Sequence, residues 1–187
     1  MYDDGRTGGP GTMPTTPAAN FAGVGEGLRF LRHPNAATAL GLAVSHLMTR
    51  PAFANLRFGH WSRVLVGQIN RGHYVLVLRG DRVVGFAGWA LTDAEKAEGW
   101  ITGRRELRYD ESGDGDHVVF NAWEAADFAV HRFLLDGARR IVSGRRTIYF
   151  KRYYDDGRIR PVRFSVNAFL DRHITRMDGV HASRNDG

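Results

Sequence analysis

The sequence of 187 residues contains no cysteine, which excludes a disulfide framework and a cysteine-ligated metal. Lysine is nearly absent, because Lys96 and Lys151 are the only two, so almost all positive charge is arginine. No apolar run approaches the roughly 20 residues that a membrane-spanning helix needs. The N-terminal stretch has early acidic groups and no hydrophobic segment, so we expect no secretory signal and a cytoplasmic protein.

The composition is that of one globular domain, with 43% hydrophobic and 25% charged residues. We expect a flexible tail over 1–22, a single domain over 23–175 and a second tail over 176–187, because the ends are rich in small and polar residues. The net charge of +6 favours an acidic partner, namely nucleic acid, a phospholipid surface or an acidic protein. A solvated, arginine-rich surface without such a partner explains the charge equally well.

The stretch HYVLVLRGDRVVGFAGWAL, residues 73–91, predicts a β-hairpin. Two runs rich in β-branched and aromatic residues flank the turn sequence Arg-Gly-Asp-Arg. The first run has consecutive apolar residues instead of an alternation, which is typical of a strand covered on both faces. The hairpin is therefore expected at the centre of a sheet with helices against it.

Helix and strand patterns alternate along the rest of the chain. They predict four helices: over 36–48, from Pro51 to about Gly72, after Thr92 and over 125–137. The segment 21–30 before them is expected to be transitional and to lead into the first helix. Phe128, His131, Phe133 and Leu134 are the expected buried face of the fourth helix. Strands are predicted over 117–123, 140–142, 147–154 and 159–166, and a short helix near Asn167. This order predicts a mixed α/β sheet with helices on both faces.

Two kinds of site are not supported by the motifs. Arg82 to Ala87 matches the Arg-x-x-Gly-x-Gly/Ala pattern of a coenzyme A pyrophosphate loop, but such a loop must precede a helix, and this match lies inside a predicted strand. We therefore expect neither a bound nucleotide nor a coenzyme A donor. The eight histidines include no H-E-x-x-H pattern, so no metal site is expected.

His60 and Asn121 are the candidate catalytic residues. His60 lies on the helical stripe of Phe53, two turns away, and an imidazole is the side chain best suited to act as a general base near neutral pH. A hydrogen-bonded core histidine is the competing interpretation. Asn121, Glu124 and Asp127 cluster where a strand passes into a helix, and Asn121 could bond a carbonyl, whereas the acids could simply favour the helix N-terminus.

Several arginines fall in loops and at helix ends and could form one basic face: Arg104, Arg105, Arg108, Arg139, Arg140, Arg145 and Arg146. Aromatic residues do not alternate with them as they do on a platform for single strands, and no helix-turn-helix spacing occurs. We therefore do not expect nucleic acid as the partner.

Three segments, VSHLMTRP over 44–51, YVLV over 74–77 and VGFAGWA over 84–90, resemble the toxin-activating lysine acyltransferases of RTX toxin operons. The resemblance covers about residues 40–167. It implies a GNAT-like acyltransferase fold without a pyrophosphate loop and without a bound cofactor. It also implies transfer of a fatty acyl group from acyl carrier protein to a lysine of a protein acceptor such as an RTX protoxin, in the cytoplasm and often by a homodimer.

The sequence departs from the family at two positions. The family has an essential histidine in a Pro-x-His context, where this chain has Phe53 after Pro51. The family's essential aspartate corresponds to Asn121, or to Ala122 if the spacing shifts by one. Three accounts remain open: His60 replaces the lost histidine, the scaffold carries different chemistry, or the chain binds a carrier or another partner without catalysis.

The hypothesis that joins these observations is acyl transfer with His60 as the base and Asn121 at the carbonyl. The acyl chain would lie against an apolar wall formed by Phe53, Phe86, Trp89, Phe120 and Trp123. The acidic acyl carrier protein would be steered by Arg104, Arg105, Arg139, Arg140 and Arg145. The alternative hypothesis is a non-catalytic basic module that binds an acidic protein or nucleic acid.

Overall fold

The computed structural model describes residues 27–154 and 158–166. These residues form six strands, β1 to β6, and five helices, α1 to α5. A single 3₁₀ helix, Tyr109–Glu111, lies between α4 and β4. In chain order the elements are β1 Leu28–Leu31, α1 Ala36–Leu47, α2 Pro51–Ala54, α3 Phe58–Asn70, β2 Tyr74–Arg79, β3 Arg82–Thr92, α4 Ala94–Ile101, β4 His117–Ala125, α5 Phe128–Val142, β5 Thr147–Tyr153 and β6 Ile159–Ser165.

The six strands form one sheet in which the spatial order follows the chain order. Neighbouring strands are antiparallel except for β4 and β5, which are parallel and are joined by α5. The parallel pairing ends at Phe120 and Phe150, although the two strands continue to Ala125 and Tyr153. The remaining parts of β4 and β5 are therefore not hydrogen-bonded to each other within this sheet.

Helices cover both faces of the sheet, as the sequence predicts. Leu76 and Phe86 point towards α1 and α3, while Val119 packs beneath α4; we call this side the α3 face. Val77 and Val118 point to the other side and pack against α5, which gives the α5 face. The central strands β2 to β4 are thus buried on both sides, which explains their continuous apolar runs.

The predicted start of the first helix at residue 36 is confirmed, whereas the helix predicted from residue 125 begins at Phe128, because Ala125 still belongs to β4 and Asp127 is the cap. The Asn35 side chain accepts a hydrogen bond from the Thr38 amide at 2.9 Å and begins α1. Asp127 caps α5 by accepting from the Val130 amide at 2.9 Å, and its carboxylate also pairs with Arg79. Those two contacts hold the pKa of Asp127 below its usual value. Asp127 is therefore a capping residue rather than part of a site.

Three predicted elements differ in the structure. Residues 28–31 form strand β1 instead of leading into a helix, because Phe30 and Leu31 pair with β2. The single helix expected from Pro51 is interrupted after Ala54, since between residues 51 and 60 only Phe53 is even partly buried and no apolar stripe anchors the segment.

At the other end of the chain, residues 140–142 continue α5 and do not form a strand. Ala138 and Val142 lie one helical turn apart on the α5 face and are both buried there. Phe128, expected on the buried face of this helix, is 73% exposed, while Phe133 and Leu134 are buried as predicted. The two tails over 1–22 and 176–187 and the helix near Asn167 lie outside the described residues.

The glycine pattern of Arg82 to Ala87 lies inside β3, where Gly85 pairs with Val77 on one side and Ala125 on the other. The prediction that this pattern lies inside a strand is confirmed, because its backbone groups belong to the sheet ladder. Among the helices of the described ranges, none is long and apolar enough to cross a bilayer.

Gly88 provides a test of how tightly β3 packs beneath α3. A Cβ atom at this position would overlap the side-chain amide of Gln68, which is fully buried. We expect Gly88→Ala to destabilise the protein by about 1–3 kcal/mol through overpacking. Gly41→Ala is the control, because a Cβ there meets nothing within 4 Å and the change should stabilise α1 by about 0.5–1 kcal/mol. Urea unfolding of both variants measures these differences, and equal stability of the two would contradict the packing.

Candidate active site

Asn121 occupies a β-bulge between β3 and β4. Gly88 pairs with Ala122 and the next residue, Trp89, pairs with Phe120, so Asn121 is an extra residue with no partner in β3. A bulge of this kind re-aims one side chain and is common beside active sites. Asn121 points to the α3 face, and the extra residue reverses the alternation beyond it, so that Trp123 points to the α5 face and Glu124 to the α3 face.

A buried amide holds the Asn121 side chain in place. Gln68 of α3 is fully buried and donates a hydrogen bond from Nε2 to Oδ1 of Asn121. With Oδ1 engaged in this way, the Nδ2 group of Asn121 is the part of the amide that can donate to a ligand. Gln68 fits at this place only because Gly88, beneath it, has no side chain.

Asn121 lies at the base of a cleft of about 330 Å³ between α3 and the segment that connects α4 to β4. We call it the Asn121 cleft. It is lined by His60, Arg63, Val64, Arg71, Glu106, Leu107, Arg108, Ser112 and Asn121. The structure therefore brings together the two residues, His60 and Asn121, that the sequence analysis selects as catalytic candidates.

His60 stands at the rim of this cleft in the first turn of α3. Its Nε2 lies 3.3 Å from Oε2 of Glu106, and the imidazole is 48% exposed. The histidine is thus neither a core residue nor isolated, because a carboxylate can fix its ring orientation and tautomer. Glu106 was not identified from the sequence, since it lies in a polar loop with no periodic pattern to mark it.

The cleft has a positive electrostatic character. Arg63, Arg71 and Arg108 line it together with a single acid, Glu106. Arg108 is paired with Asp110 at 2.8 Å, whereas Arg71 lies over the ring of a tyrosine and burial lowers its pKa. A partly desolvated guanidinium of this kind favours an anionic ligand or a developing negative charge.

A second histidine–carboxylate pair lies elsewhere on the α3 face. His46, at the end of α1, contacts Glu124 of β4 through Nε2, and Arg50 Nε lies 3.0 Å from the same carboxylate. The His46 and Glu124 side chains are only 5% and 10% exposed. Neither residue lines the Asn121 cleft, so we assign this network to packing between α1 and β4. The position of Glu124 in the sequence indicates an acid near a helix start, and its pairing with a residue 78 positions away leaves no local signal.

The proposed acyl-binding residues do not share one face. Phe86 is fully buried on the α3 face, and Phe53 packs against the same cluster from α2. Trp89, Phe120 and Trp123 lie on the α5 face, where the Phe120 and Trp123 rings meet edge to face at 5.4 Å. The structure thus brings together three of the five residues and separates the other two by the thickness of the sheet.

The predicted basic face is likewise divided. Arg104 and Arg105 follow α4 on the α3 face, and Arg105 pairs with Glu111. Arg139 pairs with Asp136 on α5 at 3.6 Å. Arg140 and Arg145 line a different cavity, on the α5 face. Within the described part of the chain, no group of three or more histidines and acids is arranged to hold a metal ion.

A basic cleft lined by an imidazole beside a carboxylate and by an amide suits group transfer at a carbonyl. The sequence agrees with that class of enzyme: it matches the RTX toxin acyltransferase family over residues 32–162, which is well over half of the chain. The protein belongs to the RTX toxin acyltransferase family. No curated protein sequence matches the chain.

Solved structures similar to this chain include GNAT and GNAT-like proteins. The loading GNATL domain of CurA from Lyngbya majuscula is 13% identical with a TM-score of 0.43, and the match covers 67% of this chain and 65% of that one. This chain thus spans slightly less than two thirds of the CurA domain. The GphF GNAT-like decarboxylase in complex with isobutyryl-CoA is 17% identical with a TM-score of 0.44, covering 68% and 67%. A putative GNAT-family acetyltransferase from Desulfovibrio desulfuricans is 17% identical with a TM-score of 0.38, covering 67% and 72%.

The buried network of His46, Arg50 and Glu124 yields a stability prediction. The Glu124 side chain is 10% exposed and contacts both His46 and Arg50, so Glu124→Gln removes the carboxylate that these two side chains share and should destabilise the protein by about 3 kcal/mol. Asp116→Asn is the control: it breaks the exposed pair with Arg146 at 3.2 Å and should cost less than about 1 kcal/mol. Denaturant unfolding of both variants measures the loss of unfolding free energy. An equal loss in the two variants would show that the Glu124 contacts stabilise the protein no more than an exposed ion pair does.

His73 yields a pH prediction. Burial, with further contributions from Arg71 and Arg32, lowers the pKa of His73 to about 4. Because the unfolded chain binds a proton near pH 6.5, wild-type stability should fall as the pH drops from about 6.5 to about 4, by roughly 3 kcal/mol. His73→Phe retains a ring against Trp89 and removes this titration, so its unfolding free energy should depend less on pH across that window. An equal dependence of the unfolding free energy on pH in the two proteins would contradict the assignment of this titration to His73.

Proposed function

We propose that this protein moves a fatty acyl group from an acyl carrier protein thioester to a lysine ε-amine of an RTX-type protein acceptor in the cytoplasm. Membership of the RTX toxin acyltransferase family supports the transfer of an acyl group. The observation that carries the site assignment is the convergence of His60, Glu106 and Asn121 on one cleft. No bound cofactor takes part, because the thioester donor already carries the activated acyl group.

In the proposed reaction His60 acts as the general base. Its imidazole takes a proton from the lysine ammonium, and Glu106 stabilises the imidazolium that forms. The neutral amine nitrogen attacks the thioester carbonyl, a C–N bond forms, and the carbonyl electrons move onto oxygen. Collapse of this intermediate breaks the C–S bond. The departing carrier thiolate takes up the extra proton of the attacking nitrogen, which leaves an amide and a free thiol, and the imidazolium of His60 returns its proton to water.

Asn121 is proposed to stabilise the oxyanion. Its Oδ1 is engaged by Gln68, so Nδ2 is available to donate to the carbonyl oxygen as negative charge develops there. A donor fixed by a buried partner needs no reorganisation during the reaction. The guanidinium of Arg71, on the same cleft, would add positive potential near that charge.

The acyl chain and the carrier are proposed to approach from the surfaces nearest to this cleft. Phe120 and Trp123 flank Asn121 in β4 and point to the α5 face, where the pairing of β4 with β5 ends. An acyl chain directed through this end of the sheet would meet their rings. Arg104 and Arg105, on the Asn121 side, would meet the acidic carrier, and a reaction rate that falls with added salt would accompany such steering.

The test is discharge of a panel of acyl carrier protein thioesters, followed by mass spectrometry of the carrier and of a lysine peptide. We expect His60→Gln to reduce the transfer rate by about 100-fold or more, since it removes the base and keeps hydrogen-bonding capacity. Asn121→Ala should cost a similar factor through loss of an oxyanion donor. Asn70→Ala is the matched control, because Asn70 is an exposed residue of α3 that does not line the cleft.

Wild-type rates in a folded His60→Gln variant would contradict the assignment of the base while leaving the reaction class intact. Absence of discharge by the wild type, together with carrier binding, would favour the second candidate function. That candidate is carrier binding without transfer. It is favoured by one observation: Phe53, at the position of the family's essential histidine, packs against the core of the α3 face and can neither accept nor donate a proton.

A further inference from the structure

A second cavity lies on the α5 face, on the opposite side of the sheet from the Asn121 cleft. It measures about 230 Å³ and lies between the C-terminal half of α5 and the strands β1 to β3. Its lining consists of an apolar set, Phe30, Val75, Trp89, Leu91, Gly137 and Ile141, and three arginines, Arg32, Arg140 and Arg145. No acidic residue is among these nine, so the described lining combines apolar walls with arginine side chains.

Arg32 is the informative member of this set. Its Nε donates to the Tyr74 carbonyl at 2.9 Å, and its guanidinium carbon lies 5.4 Å from the centre of the Trp89 ring. Burial lowers its pKa. Among the described residues no carboxylate pairs with Arg32, so a partly desolvated cation faces the cavity with neutral partners alone. Such a charge is unfavourable unless an anion compensates it.

The walls around Arg32 are held in fixed positions. The Phe30 ring stacks on Phe133 with centroids 4.2 Å apart, and a Cβ atom on Gly137 would overlap Phe30. The ring of Trp89 is held between His73, which stacks on it, and the guanidinium of Arg32. The cavity is therefore bounded by packed rings, as expected of a preformed ligand site.

We propose that this cavity binds a small amphipathic carboxylate, with the alkyl part against the aromatic walls and the carboxylate on Arg32 and Arg145. A full negative charge is required, because a thioester-linked or amide-linked acyl group has a neutral head and would leave the arginine uncompensated. The occupant is thus a free acid rather than the acyl chain in transfer. The site is separate from the Asn121 cleft, and this inference does not depend on the proposed function.

The experiment is isothermal titration calorimetry of the full chain with octanoate and, separately, with 1-octanol. We expect octanoate to bind and 1-octanol to bind at least about tenfold more weakly, because the alcohol lacks the charge. Arg32→Met retains the apolar stem and should raise the Kd for octanoate by about tenfold or more. Arg145→Met provides an independent variant and should weaken binding in the same direction.

Two controls separate this site from general basic attraction and from the catalytic cleft. Arg132→Met removes one exposed charge from α5 without touching the cavity, and Arg63→Met removes one from the Asn121 cleft. Both should leave the Kd for octanoate within about twofold of wild type. No binding at millimolar octanoate, equal affinity for 1-octanol, or loss of binding in Arg63→Met but not in Arg32→Met would each overturn the proposal.

Discussion

The extra residue in β4 determines which side chains meet on each face of the sheet. In a regular strand the direction alternates, so a shift of one residue reverses every side chain beyond it. The bulge at Asn121 produces such a shift between Gly88 and Trp89. Without it, Glu124 would point towards α5 and could not reach His46. The contact of Glu124 with His46 at the end of α1 therefore depends on this one irregularity, whereas Asn121 keeps the face that Val119, two residues earlier, already has.

The sheet separates two kinds of chemistry. The α3 face carries the polar cleft, in which an imidazole, a carboxylate and an amide come together. The α5 face carries an apolar cavity with arginines at its edge. His73 lies where the two regions approach each other, since the charges of Arg71 and of Arg32 both act on it. Its neutral state near pH 7 avoids a further buried cation between two arginine-lined cavities.

The fold was largely predictable because its strongest signals are local. The run of β-branched and aromatic residues around 73–91 specifies a central hairpin, and Asn35 and Asp127 mark helix starts by their capping chemistry. Strand β1 was missed because four residues carry too little periodicity, and its pairing with β2 spans about fifty residues of intervening chain. The break between α2 and α3 is not visible in the sequence, because the residues there have helical propensity. The helix is interrupted because these residues make few buried contacts.

The candidate site was predictable only in part, for a physical reason. His60 and Asn121 could be selected because each stands at a recognisable place on a helix stripe or at a strand end. Their partners, Glu106 and Gln68, are brought to them by tertiary packing and carry no signal in the sequence around them. The division of the apolar wall follows from the odd spacing of Phe86 and Trp89 in β3, which places them on opposite faces. The bulge in β4, which no sequence pattern reveals, brings Phe120 and Trp123 to the same face.

The short parallel pairing of β4 and β5 bears on how firmly the last two strands are held to the rest of the sheet. Four residue pairs connect these strands, whereas β5 and β6 share seven pairs with each other. The ladder that joins the β5–β6 hairpin to β4 is thus shorter than the ladder between β5 and β6. The exposed ion pair of Arg163 with Glu98, at 2.6 Å, adds to this connection. Cooperative units that separate before global unfolding form along boundaries of this kind. The ladder with β4 is therefore the shorter of the two that β5 makes, and the burial of Ile148 and Tyr149 in the core is what holds the hairpin in place beyond that ladder.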